Sequence, residues 1–343
     1  NLSNVEYIKL ISTEIPNSDK IIRDFPESRR NNKVFWEIAE DGDILYELEI
    51  TPGNYGASCL AEEIAMQWNK VTRQLRTTTS TSSTKSNLNR VTVTIDTLTN
   101  IVTFFAFSVY TLSMALTRSK AEFPDGLKRV IVAHPNHGLS PGDQITIEGA
   151  LSTDTIPRAS LNSTFEIESL IDAHQYVIKI QSHNSNTSEV TFGGGSINVL
   201  TPVKFRLLFD RQGTVGTILG FRNVGTKTAI TPYATSISNN MAYEQDYFIN
   251  EVGLQIGNDS YTKVTNNILQ LYGDNYIILT CNAIQDDVKI GKLNGQLAKL
   301  FLSQPPGAVI YNSFVQLNHH IKKEKTNISE LEFTFSYPDG TYY

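Results

Sequence analysis

Cysteine is scarce in this chain, and the two that occur, Cys59 and Cys281, stand too far apart to read as a zinc-ligand pair or a disulfide framework. Charge is scarce too. Only 19% of the residues are charged, against about a quarter in ordinary soluble domains. Nor is there a basic excess: 29 Lys and Arg face 35 Asp and Glu, for a net charge of -6. That balance argues against a dedicated duplex nucleic-acid binder, which needs a basic footprint. No apolar run approaches the roughly 18 residues that mark a membrane-spanning helix. P-loop, dinucleotide, nucleophile-elbow and zinc-protease patterns are all missing. The first residue is Asn1 rather than Met and no signal peptide is visible, so a trimmed or processed N-terminus is expected.

Uncharged polar residues fill the place of charge. The 343 residues include 34 Thr and 28 Asn, which favour strands and turns over helix interiors. With 40% hydrophobic and 10% aromatic residues there is material for real cores, so global disorder is excluded. The length suits two ordinary domains with an insertion.

Local patterning is mostly β. Val5-Glu6-Tyr7-Ile8-Lys9-Leu10-Ile11 reads as a strand stopped by Ile15-Pro16-Asn17. Lys33-Val34-Phe35-Trp36-Glu37-Ile38 and Ile44-Leu45-Tyr46-Glu47-Leu48-Glu49-Ile50 flank Asp41-Gly42, a strong hairpin signal. A second hairpin joins the alternating run from Val91 to Ile95 to the run from Ile101 to Phe107 through Leu98-Thr99-Asn100. The spacing of Leu60, Ile64, Trp68, Val71 and Leu75 predicts the one convincing helix, with Ser58 as cap and Glu62 and Glu63 near its positive end. Such a stripe reads as a helix lying on a sheet. The tract from Thr77 to Thr84 has no periodicity and predicts a solvated loop.

From about Asp125 to Thr201 the strands become short and closely spaced. Arg129 to Ala133, Gln144 to Ile147, Thr164 to Ile167 and Gln175 to Ile180 are separated by turns carrying Gly138, Pro141-Gly142-Asp143 and Asn162. The segment from Val203 to Phe209 then resembles the strands that precede Asp125, which predicts a small β domain inserted within a larger one. Later runs at Val252 to Ile256, Tyr276 to Cys281, Leu297 to Leu302, Val309 to Tyr311 and Leu331 to Tyr337 form a further set. The expected class is all-β: tandem antiparallel jelly-roll sandwiches, the first with one helix and the inserted domain. Its boundaries are 1–125 and 202–243 for the first roll, 126–201 for the insert, and 244–343 for the second roll.

Signals for chemistry are weak. His134 and His137 lie three residues apart without a third ligand nearby, and read as turn histidines bonding backbone. His319 and His320 would face opposite sides of a strand. Asp286-Asp287, and Asp172 with His174, read as surface loops. Gly193-Gly194-Gly195-Ser196 has no helix after it, so it reads as a flexible hairpin end rather than a phosphate cradle. Asn162, Asn186, Asn258 and Asn327 fall in glycosylation patterns that an Asn- and Thr-rich chain generates by chance. Lys322-Lys323-Glu324-Lys325 is a short basic loop. No catalytic, cofactor-binding or metal-binding residue is assigned, and no cofactor is expected.

Several segments together carry a resemblance. They are Ile8-Lys9-Leu10-Ile11-Ser12-Thr13-Glu14-Ile15-Pro16-Asn17, Pro52-Gly53-Asn54-Tyr55 leading into the helix, and Leu219-Gly220-Phe221. Further along come Ala298-Lys299-Leu300-Phe301-Leu302 with Pro306-Gly307, Tyr311-Asn312-Ser313-Phe314-Val315, and Leu331-Glu332-Phe333-Thr334-Phe335 with Pro338-Asp339-Gly340. Taken together the chain resembles the minor capsid proteins of nucleocytoplasmic large DNA viruses, the giant and algal virus group. The insert, through His137-Gly138-Leu139 and Gly142-Asp143-Gln144-Ile145-Thr146-Ile147, resembles a β module added to phage and virus structural proteins.

The resemblance implies a non-enzymatic capsid component on the inner side of an icosahedral shell, assembled in the host cytoplasm and present in many copies. It implies as partners the major capsid protein, other minor capsid proteins and the inner viral membrane, with no direct contact to nucleic acid. It also implies strands beyond the Pro338-Asp339-Gly340 turn, so a second roll that is incomplete or closed by another chain is expected. The alternative reading is a carbohydrate- or receptor-binding β-sandwich of a viral fibre or tail, motivated by Tyr233, Tyr243 and Tyr247. A glycoside hydrolase using two scattered carboxylates has no pair to name.

Overall fold

The structure is a computed structural model that describes residues 3–42, 44–74, 85–118, 125, 127–153, 156–181, 192–209, 211–221, 262–264, 268–271, 273–284, 295–304, 307–313, 319–321 and 327–343. In chain order its strands are β1 (Tyr7–Ile8), β2 (Ser12–Pro16), β3 (Lys33–Ile38), β4 (Leu45–Glu49), β5 (Arg90–Ile95), β6 (Val102–Ser113), β7 (Leu116–Arg118), β8 (Lys128–Ala133), β9 (Gln144–Glu148) and β10 (Thr164–Asp172). There follow β11 (Gln175–Ile180), β12 (Ser196–Pro202), β13 (Phe205–Leu207), β14 (Thr262–Val264), β15 (Tyr276–Cys281), β16 (Gln296–Phe301), β17 (Val309–Ser313), β18 (His319–His320) and β19 (Phe333–Ser336). Helix α1 (Ala57–Lys70) is joined by two single-turn helices that the sequence does not announce, α2 (Arg158–Leu161) and α3 (Gly216–Leu219). The described residues are thus mostly β, in several antiparallel sheets.

Two compact units divide the chain. The larger holds residues 22–51 and 55–270. In it β3 and β4 form the expected hairpin, and β13 adds to the other side of β3. Alternation within β3 and β4 turns Val34, Trp36, Ile38, Tyr46 and Leu48 inward, where the stripe of α1 meets them. The Trp36 and Trp68 rings stack at 3.8 Å between centroids, and Phe205 closes edge-on to Trp68 at 6.1 Å. Leu60, Ile64 and Trp68 are fully buried, so the predicted apolar stripe is correct over most of its length. Its ends differ from expectation. Gly56 occupies the cap position with no side-chain cap, which makes Ser58 the second helical residue. At the other end the helix stops at Lys70, so Val71 is its half-buried, extended cap residue rather than part of the stripe, and Leu75 lies outside the described residues. Glu62 and Glu63 are in the second turn, and Glu63 instead accepts from the Thr51 hydroxyl at 2.7 Å and from Gln67 at 2.8 Å.

Strand β6 is the spine of a nine-stranded sheet. Its first half pairs with β5 as predicted, and its second half pairs with β12 from Pro202↔Phe107 to Ser196↔Ser113. The sheet continues through β9, β10, β11, β8 and β7, so the small β domain shares hydrogen-bonded strands with its host. Its core, including Leu116, Val132, Ile145, Ile167, Tyr176, Ile178 and Val199, also takes Leu112 from β6. The four short strands predicted for this region all form. The boundary at 126 falls inside this arrangement, because the core begins with Leu112.

The smaller unit holds residues 1–21, 52–54 and 271–343. Here β2 pairs with β17, with Ile15 opposite Ile310, and β1 pairs with β18. Strands β16, β15 and β19 form a third sheet. Ile15, Ile277, Leu279, Cys281, Leu300, Ile310 and Ile321 share one core. The sequence partition puts residues 1–125 with the first roll, whereas the first 21 residues belong with the C-terminal strands. Short alternating strands carry no local record of their distant neighbour, so that pairing is decided by the shared core. The run from Val252 to Ile256 lies outside the described residues.

Candidate functional site

Two polar clusters in the larger unit are built from side chains far apart in sequence. In the first, Arg73 follows α1 with a fully buried side chain and donates from Nε to Asp41 Oδ2 at 2.7 Å and from Nη2 to Asp41 Oδ1 at 2.8 Å, a bidentate pair. Arg73 Nη1 donates to the Ser108 hydroxyl at 2.6 Å, and Ser108 donates to Glu40 at 2.7 Å. Lys85 also donates to Glu40. Tyr46 donates its hydroxyl to Asp41 at 2.9 Å and accepts from the Gln74 backbone at 3.0 Å. The cluster therefore ties the β3–β4 turn, the end of α1 and β6 together. Arg73 and Lys85 flank the segment 75–84, most of it the Thr/Ser tract, which lies outside the described residues, and both hold Glu40.

Burial and charge together set the titration of this cluster. Burial alone would raise the Glu40 carboxyl, but Lys85, the Ser108 hydroxyl and Arg73 outweigh it and hold the pKa below its ordinary value. Burial pulls the Arg73 guanidinium down, and Asp41 and Glu40 reverse that and raise it. Tyr46 is pushed up to about 12, first by burial and then by the Asp41 charge. Asp41, Ser108 and Glu40 all engage Arg73, so the cluster acts as a cross-tie between these elements.

The second cluster lies where β8 ends. His134 is fully buried and its ring lies 4.4 Å from the Tyr110 ring of β6, in an edge contact. Its Nδ1 is 3.4 Å from the Tyr176 hydroxyl, while its Nε2 is buried with no hydrogen-bond partner among the described residues. The ring of His137 lies edge-on to Tyr176 at 5.1 Å. Its Nε2 donates to the Asp172 carbonyl at 3.1 Å and its Nδ1 accepts from the Leu139 N–H at 3.0 Å, which defines the tautomer. Burial, reinforced by the charge of His137, pushes His134 down to about 4.

The sequence reading is thus right for His137 and needs correcting for His134, a core histidine whose ring bonds no backbone. Among the described residues no group of three His, Cys, Asp or Glu is placed to hold a metal ion. His174 is drawn into the same corner: its Nδ1 accepts from Asn136 N–H at 3.2 Å, and its own N–H donates to Asp172 Oδ1 at 2.7 Å. Asp172 and His174 therefore shape a hairpin turn. His319 and His320 are adjacent in β18, the first half-buried and the second exposed.

Two further expectations change. The glycine tract is not a loose hairpin end. Leu116 and Met114 donate their N–H groups to the Gly193 and Gly195 carbonyls at 3.2 and 2.8 Å, and a Cβ on Gly194 would stand 2.8 Å from Leu116. Asn162 spends its amide on structure: Oδ1 accepts from Ala150 N–H at 2.7 Å, and Nδ2 donates to the Ala150 and Arg158 carbonyls at 2.8 Å each. Asn186, Asn258, Asp286, Asp287, Pro306, Phe314, Val315, Lys322, Lys323, Glu324, Lys325, Tyr233, Tyr243 and Tyr247 lie outside the described residues. Sequence reasoning missed Arg73, Glu40, Asp41 and Ser108 because 32 to 68 positions separate the members of each contact. The Asp-Gly turn signal at Asp41 was visible, but not its charge partner.

No family model matches the sequence, and neither does any curated protein. Among solved structures the chain is similar to a phage phi92 endosialidase, at 12% identity and a TM-score of 0.23, covering 61% of this chain and 32% of that one. The chain thus spans about a third of that protein's length, and a likeness this slight carries no argument about fold or activity.

Proposed function

We propose that this chain is a structural virion protein: a minor capsid component that cements major capsid capsomers from the inner side of an icosahedral shell through protein–protein contacts. The observation that carries the reading is where the resembling segments lie. Most of them, residues 8–17, 52–54, 298–302, 311–313, 331–335 and 338–340, belong to one small unit, although nearly the whole chain separates the first from the last, while Tyr55 with the helix after it and Leu219-Gly220-Phe221 lie in the larger unit. Two of them pair directly, Thr13 with Asn312 and Glu14 with Tyr311.

The outward residues of that pair of strands suit a contact surface. Val309 and Tyr311 are 65% and 63% exposed, and Ser12, Glu14 and Pro16 are exposed on the strand opposite. A face with apolar and uncharged polar groups and a single carboxylate is covered with little charge desolvation. The polar clusters of the larger unit act as internal ties, and the role proposed is non-enzymatic and without a cofactor. Tandem jelly rolls, many copies and contact with the inner membrane belong to the same proposal.

The test is cross-linking mass spectrometry on intact particles together with a cryo-EM map of purified virions. Cross-links from residues near Tyr311 to the major capsid protein, with density for this chain beneath the lattice, are expected. A side-chain-resolution map with no such density overturns the reading, and strong glycan-array binding by the purified chain would favour the receptor-binding sandwich instead.

A further inference from the structure

His134 sits where three elements of the small β domain and its host meet. It follows β8, its N–H donates to the His174 carbonyl at 2.7 Å in the β10–β11 turn, and its ring fills the space between Tyr110 of β6 and Tyr176 of β11. Ala133 N–H next to it donates to the Ala115 carbonyl at 2.9 Å, so this corner also fastens the chain just past β6. The buried imidazole is favoured here while neutral, because a second ring proton would add a charge cut off from water, and Nε2 has no hydrogen-bond partner among the described residues.

The titratable groups facing the ring offer no compensation. Tyr110 from β6 is held protonated, first by burial and then by the Glu40 charge, with Arg73 opposing. Tyr176 from β11 is likewise raised by burial. His137, from the same turn, can present only a like charge. The Asp172 carboxylate is turned away to the His174 N–H.

We propose that His134 is an acid-sensitive latch: neutral, it holds the β8–β11 corner against β6, and protonated, it opens that corner. The sign follows from linkage. The folded pKa lies below the ordinary value of 6.5, so the latch is fully closed above 6.5 and is progressively lost as pH falls toward about 4. With those two values, the population in which the corner is open rises about 30-fold between about pH 7.5 and about pH 5. This inference does not rest on the virion reading.

Hydrogen exchange by mass spectrometry on the full chain tests it, with rates corrected for the intrinsic pH dependence. Peptides covering β8, β11 and the second half of β6 are expected to gain about 30-fold in opening on acidification, while β15 gains none of this. His134→Phe, which fills the same aromatic slot without a titrating nitrogen, is expected to abolish the gain. Acid opening that persists unchanged in H134F, or its absence in the native chain, overturns the latch. Should H134F fail to fold, NMR of histidine-labelled native chain decides alone. The six imidazoles are titrated and His134 is identified by its contacts to Tyr110 and Tyr176. A resonance still neutral at about pH 5 supports the latch, and a midpoint near 6.5 sinks it.

Discussion

At the scale of single residues, the largest stakes lie with Arg73. Its guanidinium is sealed from water and fully engaged by Asp41, Ser108 and Glu40, so truncation strands a buried carboxylate. Arg73→Met is expected to cost about 3–5 kcal/mol in urea unfolding. Adding Asp41→Asn to R73M should cost much less than it does alone, because the two act as a unit; additive losses would show that the pair is not coupled. Alkali offers a separate probe. The Tyr46 hydroxyl is raised from 10.0 to about 12 in the folded chain. Its contribution is therefore complete below pH 10 and disappears as pH rises toward 12. Tyr46→Phe should flatten the fall in melting temperature across that window without removing it, since Tyr110 is raised in the same direction.

At the scale of elements, the small β domain shows how turns and close approach differ in their demands. Gly142 has φ +91 with open space around its missing Cβ, and Gly194 has φ +90 with Leu116 at 2.8 Å. Gly142→Ala is expected to cost about 1 kcal/mol, the strain of a left-handed backbone alone. Gly194→Ala adds a clash with a core side chain and should cost about 2–3 kcal/mol, read as a larger drop in thermal midpoint. Equal losses would mean that the tract is not packed against Leu116. Helix α1 makes the complementary point. Its stripe was legible because Leu60, Ile64 and Trp68 recur with the helical period, while its start was not, because Gly56 caps through backbone alone and leaves no side-chain signature.

At the scale of the whole molecule, each of the two units has its own core, and one of them is assembled from both ends of the chain. Deleting residues 1–17 removes β1 and β2 and strips Ile15 from the core it shares with Ile310 and Ile277. Loss of the smaller unit's unfolding transition is expected, with that of the larger unit kept; calorimetry showing both transitions intact would refute the assignment. Val309→Asp with Tyr311→Asp should leave both transitions in place, since the two side chains are exposed, and should reduce incorporation into particles at least tenfold if the proposed capsid contact lies there.

The amino-acid sequence by itself determined the β class, the hairpins at Asp41-Gly42 and Leu98-Thr99-Asn100, and the four short strands after Lys128, because alternation and turn chemistry act within a few residues. Only the tertiary structure decided that Ser12–Pro16 pairs with Val309–Ser313, that Arg73 finds Asp41, and that His134 is sealed between Tyr110 and Tyr176. Each of those contacts joins residues that have no local claim on one another, and they are selected together by which apolar faces can share one core.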